Sequence, residues 1–228
     1  MVRAGWMMLI WLPLVGCGGG GGADGGGGGA SGGDAGGGRN SGRPVFVLPT
    51  PTPPPDPRLA RLAGYEAQKT RVLGGSGSGF AGLSPTTADL PVQGSADFAG
   101  FASLRVEGGP VLTLFGDARL DVDFSSQQIS GTVDNLFGTS PAGGAADYAG
   151  ALAISGAAVQ PELLLDYSGA LSAAGRQLDV TGMLEAAFLG DPIQGLSGID
   201  LASQVIRDGQ AQLGTFLIVM ERDGKLPP

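Results

Sequence analysis

Cys17 is the only thiol in the chain, and the chain has no histidine. A Ser-His-Asp triad, a Cys-His pair, a His-ligated zinc and a His-ligated haem each need an imidazole. A single Cys makes neither an intrachain disulfide nor a thiolate cluster. The carboxylates are the main chemical resource left. Asp117, Asp121 and Asp123 stand at even spacings in one extended run, so their side chains share a strand face and offer three oxygens of a Ca²⁺ shell. Arg119 lies on the same face, and no Asp-rich twelve-residue loop with Gly at its sixth position surrounds them. That face reads as a charged, solvated wall, and neither a metal nor a cofactor is expected. Gly74-Gly75-Ser76-Gly77-Ser78-Gly79 lacks the Gly-Lys-Ser/Thr ending of a phosphate loop and reads as a linker. Lys69 and Lys225, in a helix and in the tail, are poorly placed to serve as the base of a Ser-Lys pair. Tyr148 and Tyr167 read as wall or core aromatics, not haem ligands. No enzymatic activity is expected.

Charge and composition narrow the class further. The chain has 13 Lys+Arg against 21 Asp+Glu, a formal charge of −8, and its acids concentrate after Asp89. An acidic domain repels phosphate, so nucleic acid is not an expected partner. Glycine supplies 44 of the 228 residues, and it stays abundant outside the obvious linkers. That composition favours β-structure with many tight turns.

The N-terminus carries a targeting pattern. Arg3 precedes the apolar run Trp6 to Leu12, which is too short to cross the roughly 30 Å hydrocarbon core as a helix. The run leads into Leu14-Val15-Gly16-Cys17. These four residues resemble the bacterial lipobox, with Leu three residues before the Cys and small residues beside it. The resemblance implies that 1–16 is a lipoprotein signal peptide recognised through Leu14, Val15 and Gly16, and that Cys17 becomes the acylated mature N-terminus. Each buried CH₂ contributes about 0.8 kcal/mol, and stable anchoring takes about two chains. In enteric lipoproteins an Asp after the Cys favours inner-membrane retention, so with Gly18 at that position the resemblance implies the outer membrane.

The rest of the chain divides by composition. Residues 17–57 are Gly-rich and then Pro-rich, with little apolar surface to offset ordering, so a disordered tether is expected: soft near the lipid and stiffer toward Pro57. Asp56-Pro57 is a helix start, and Leu59, Leu62, Ala63, Tyr65 or Glu66, Lys69 and Val72 recur near a 3.6 period, predicting a helix over 58–73 that Gly74-Gly75 stops. A linker over 74–89 follows. From about residue 90 the period becomes two. Ala118, Leu120, Val122 and Phe124 share one face, as do Ile129, Gly131 and Val133, and as do Leu178, Val180, Gly182, Leu184, Ala186 and Phe188. About eight such strands, separated by Gly-containing turns, make a closed antiparallel barrel or a sandwich over 90–228. Asp191 to Ser203 breaks the pattern and predicts a short helix or long loop.

An echo of Asp-aromatic-small-Gly recurs at Asp97-Phe98-Ala99-Gly100, Asp147-Tyr148-Ala149-Gly150 and Asp166-Tyr167-Ser168-Gly169. A Gly two residues after the aromatic lets a barrel wall bend. The opening Gly94-Ser95-Ala96-Asp97-Phe98-Ala99-Gly100, with Leu120-Asp121-Val122-Asp123-Phe124 and Ile129-Ser130-Gly131-Thr132-Val133, resembles the transferrin-binding protein B-type barrel lipoproteins. The resemblance implies an all-β, single antiparallel eight-stranded barrel, lipid-anchored on the outer surface and binding a host protein or a small ligand. One barrel is evident where transferrin binders carry two lobes. A monomer is expected. Loops carry contacts on rigid scaffolds, so the candidate ligand-binding residues are Ile193, Leu196 and Ile199 of the irregular segment. The alternative is a structural or assembly lipoprotein of the envelope with no ligand.

Overall fold

The computed structural model describes residues 56–75, 81–86, 89–139, 144–224 and Leu226. The lipobox, Cys17 and nearly all of the tether lie outside them. One helix precedes eight strands: α1 (Pro57–Leu73), β1 (Ser95–Val106), β2 (Leu112–Asp123), β3 (Gln128–Thr139), β4 (Ala145–Ala157), β5 (Glu162–Ala173), β6 (Arg176–Leu189), β7 (Gly195–Arg207) and β8 (Gln210–Arg222). Each strand pairs antiparallel with the next, and β8 returns to β1, closing an up-and-down barrel. Of the two architectures the alternation allows, the chain adopts the barrel.

Alternation sets the two faces of the wall. Phe98, Leu104, Leu120, Val122, Val133, Leu152, Leu165, Leu184, Phe188 and Phe216 point inward and are almost wholly buried in one continuous core. Asp121 and Asp123 point outward to solvent, as the strand pattern predicts. Two-residue turns with positive φ at both positions connect β5 to β6 at Ala174-Gly175 and β7 to β8 at Asp208-Gly209. That backbone matches the twist of the flanking strands.

The aromatic-Gly echo has the expected mechanical role. An added Cβ at Gly100 would collide with the Val219 carbonyl oxygen of β8, and one at Gly169 with the Ala151 carbonyl oxygen of β4. Gly150 is the reciprocal case against Ala170, with φ at 106°. In each, the backbone of the neighbouring strand occupies the space of a side chain. The aromatic two residues earlier then fills the interior: Tyr167 stacks on Phe216 with ring centroids 4.4 Å apart.

One expectation is corrected. Asp191 to Ser203 is not a long loop or short helix. The chain turns between Leu189 and Gly195, and β7 then runs unbroken to Arg207. The pattern was obscured by a bulge, since the β7–β8 register shifts between Asp200 and Ser203. Outward-facing Ile199 and Leu201, both exposed, further mask the alternation. An extra residue in one strand exchanges inward and outward positions beyond it.

Two substitutions test this architecture. Val122→Asp sets a carboxylate on the core face, costing several kcal/mol against a typical ~5–15 kcal/mol of total stability. Far-ultraviolet circular dichroism should show loss of the cooperative melt. Gly169→Ala should destabilise by about 2–3 kcal/mol, because the clash is with backbone that cannot rotate away. A chemical-denaturation midpoint equal to wild type would refute the bend assignment.

Candidate functional site

The outer wall is not uniformly solvated, because α1 lies across it. Asp56 caps the helix by accepting from the Arg58 backbone N–H at 3.0 Å, and Pro57 occupies the first turn. Gly74, at φ 78°, ends it and donates its N–H to the Thr70 carbonyl. The buried positions are Tyr65, Gln68 and Val72, with Leu62 partly buried beside them, whereas Leu59 of the predicted stripe is exposed. The stripe meets a second apolar cluster on the outside of the barrel, formed by Phe101, Phe137, Leu189 and Val219.

A polar lock sits at the centre of this contact. Tyr65 stacks on Phe101 at 5.0 Å and donates its hydroxyl to Asp117 Oδ1 at 2.6 Å. Asp117 also accepts from Asn135 Nδ2 at 3.0 Å and lies 3.2 Å from the Arg61 guanidinium. Arg61 donates to the Tyr65 oxygen and to the Asn135 carbonyl, both at 2.9 Å, and covers the Phe137 ring at 4.5 Å. The β2–β3 register shifts between Phe115 and Asp117, with the extra residue on β3, and the β3–β4 register shifts between Val133 and Leu136, with the extra residue on β4; together they aim Asp117 and Asn135 at one point. Asp117 is therefore buried beneath the helix and separated from Asp121 and Asp123 in environment. Asp123 instead caps its own turn by accepting from the Ser125 N–H at 2.8 Å. The three carboxylates do not form a shared cation shell, and among the described residues no group of three or more metal-type ligands converges.

At the far end of α1, Arg71 holds Glu221 through two bonds of 2.7 and 2.8 Å, which keeps that carboxyl below its ordinary range. Gln68 adds bonds to the Ala99 carbonyl and to Glu221. Residues 81–86 return along the barrel: Leu83 N–H donates to Val72, and Thr86 N–H to Phe188. The helix and this part of the linker are thus packed onto the barrel.

Two cavities mark the two ends of the barrel. One, of about 750 Å³, opens between the last turns of α1 and the end where β6 turns into β7, lined among others by Arg71, Leu83, Ile193, Gln194 and Glu221. The other, of about 360 Å³, lies at the opposite mouth, between the β1–β2 loop at Gly109-Pro110 and the β7–β8 hairpin. Arg176, Arg207, Asp208, Gln210 and Gln212 line it. Arg176 is paired with Asp208 at 3.0 Å. Arg207 is only 6% exposed and donates to the Pro110 carbonyl at 3.0 Å. The charges of these two guanidiniums also reach Tyr148. Burial pushes its phenol up, and Arg207 and Arg176 pull it back.

The three residues expected to bind ligand are not brought together. Leu196 is in the barrel core, Ile193 is a mostly buried part of that core at the edge of the larger cavity, and Ile199 stands exposed on the outer wall, opposite Leu217. Sequence reasoning missed the barrel mouth. Its signal was Arg207-Asp208-Gly209-Gln210, a cation beside a tight-turn dipeptide, whose inward direction depends on the β7 bulge.

No protein-family model matches this chain, and no curated protein matches it either.

The lock generates a prediction with a pH signature. Burial, then the Asp117 hydrogen bond, raises the Tyr65 phenol well above its ordinary value. Tyr167 is raised as well, chiefly by burial. The stability tied to these neutral phenols is complete below the unfolded pKa of about 10 and is lost as pH rises above it. Tyr65→Phe should cost about 1.5–3 kcal/mol at pH 7, the range for a hydrogen bond to a charged group. It should also reduce the loss between pH 9 and 12. Thermal melts across that range, followed alongside tyrosinate absorbance, check both.

Proposed function

We propose that this chain is a non-catalytic binding module, lipid-anchored at Cys17 and displayed on a bacterial outer membrane, where it takes a small solute or a host protein. The observation that carries the reading is Leu14-Val15-Gly16-Cys17 placed ahead of a long Gly/Pro-rich stretch that leads into a barrel with a filled core. A domain whose interior is packed with side chains has no room for a ligand inside the wall. Contacts then belong to the barrel ends and the outer surface. Rigid strands joined by short turns hold such contact groups at fixed positions, which lowers the entropy cost of binding. Two acyl chains on Cys17 would retain the protein on the bilayer, and the stretch between them and Asp56 would give reach.

The second reading is an envelope scaffold with no ligand. The filled core favours it to the extent that it removes an interior pocket, and the cavities at the barrel ends favour the binding module.

The anchor is tested directly. Wild-type protein produced in a Gram-negative host should incorporate a clickable palmitate analogue, fractionate with outer membranes and be cleaved by protease added to intact cells. Cys17→Ser should lose the label and leave the membrane fraction. Label retained on the Cys17→Ser protein rejects the anchor. A wild-type protein that is labelled but protected from protease on intact cells rejects surface display.

A further inference from the structure

One cation in the structure stands apart. Among the described residues, every Arg and Lys except Arg207 has a carboxylate oxygen within 4.0 Å. Arg207 is also the Arg among the buried polar and charged residues, at 6% exposure. A guanidinium removed from water without an anion bears a desolvation penalty that one carbonyl contact at Pro110 offsets only in part. The surrounding charges do not relieve it. Asp208 is engaged by Arg176, and Glu107 by Arg105 at 2.6 Å.

A second observation comes from the same cavity. The Gln212 side-chain oxygen is buried and has no hydrogen-bond partner. Exchanging the amide oxygen and nitrogen would alter which atom is left unpaired, not the fact that a buried carboxamide has unused capacity. A cation without a carboxylate partner and a carboxamide whose oxygen lacks a hydrogen bond thus line one opening of about 360 Å³, beside the Gly109-Pro110 loop. That volume is at the lower end of small-molecule sites. The complement of this pair is an anion with a hydrogen-bonding group a few ångströms away. A carboxylate suits a guanidinium because two oxygens match its fork.

We propose that the barrel mouth binds a small hydroxycarboxylate, its carboxylate held by Arg207 and its hydroxyl by Gln212. This deepens the binding-module reading and rests on it only for the site's place on the cell, because purified protein reports the binding whether or not Cys17 is acylated. A carboxylate supplies the charge that Arg207 lacks, and the hydroxyl serves whichever end of the carboxamide faces the cavity. The net charge of −8 disfavours anions at long range. Affinity therefore comes from the local pairing, and competing salt weakens it.

The test uses the full chain, with isothermal titration calorimetry and thermal melting in glycolate, acetate and the uncharged analogue glycolamide. Glycolate should bind saturably and raise the melting temperature as its concentration exceeds Kd. Acetate, lacking the hydroxyl, should bind about fivefold more weakly, and glycolamide should not bind. Arg207→Gln should abolish glycolate binding, whereas Arg105→Gln, outside the cavity, should leave it intact. Gln212→Glu places a carboxylate in the same cavity, and should raise the melting temperature and abolish the response to glycolate. Absence of heat and of stabilisation up to about 50 mM glycolate overturns the proposal, since that bounds the affinity below any useful level. Equal binding of glycolamide, or undiminished binding by Arg207→Gln, also overturns it. Should Arg207→Gln fail to fold, undiminished glycolate binding by Gln212→Glu has the same consequence. These results are independent of the Cys17→Ser outcome, so failure of this site and failure of the anchor are separately visible.

Discussion

Backbone pairing between Phe98–Val106 of β1 and Gly214–Arg222 of β8 turns a meander of hairpins into a ring with no free edge. The other structural features are conditioned on that closure. A closed sheet curves, and curvature brings adjacent strands so near at some points that only hydrogen fits on the α-carbon, as at Gly100 and Gly169. Curvature also fixes the interior volume. Eight strands enclose a space that side chains themselves fill, and here Phe98, Phe188, Phe216 and Tyr167 do much of that filling. The same closure removes the exposed strand edges through which β-proteins aggregate.

Closure leaves one outer region apolar, and α1 covers it. Phe101, Phe137, Leu189 and Val219 point away from the core and would be an exposed patch without the helix. The helix meets them with a narrow stripe, so packing alone leaves its register loosely defined. The Tyr65–Asp117–Asn135–Arg61 group supplies direction: its bonds are short, oriented and dependent on two bulges. Apolar area drives the helix onto the wall, and the polar group defines where along the wall it rests.

A filled interior moves function to the periphery. The two ends of the barrel differ in electrostatic character. At the larger cavity, Arg71 and Glu221 neutralise each other within hydrogen-bond distance. At the mouth, Arg207 keeps its charge unmatched by any described carboxylate, and the Gln212 side-chain oxygen, which lacks a hydrogen-bond partner, belongs to the same opening. A self-neutralised crevice is what stable packing produces. An uncompensated buried charge lowers stability unless something binds there, and this difference makes the mouth the more informative end.

Much of the architecture was written in local pattern. Period-two alternation in runs such as Ala118 to Phe124 marks the inward face directly, since side-chain direction in a strand is a local property. Asp56-Pro57 and Gly74 bound the helix for equally local reasons, a cap, a fixed φ and a residue free to adopt positive φ. The aromatic-Gly echoes announced a bent wall. Direction past a bulge was not legible: Asp200 to Ser203 exchanges inward for outward, so Arg207 reads from sequence as one more surface charge when it is a buried one. Asp117 shows the same limit. In sequence it is one of three alternating outer-face acids, and only contact with Tyr65, a residue 52 positions away, buries it and separates it from Asp121 and Asp123. Strand existence and pleat are set by neighbours in the chain, whereas which outward face is covered, and which charge lacks a partner, depends on residues that closure and helix docking bring together from distant positions.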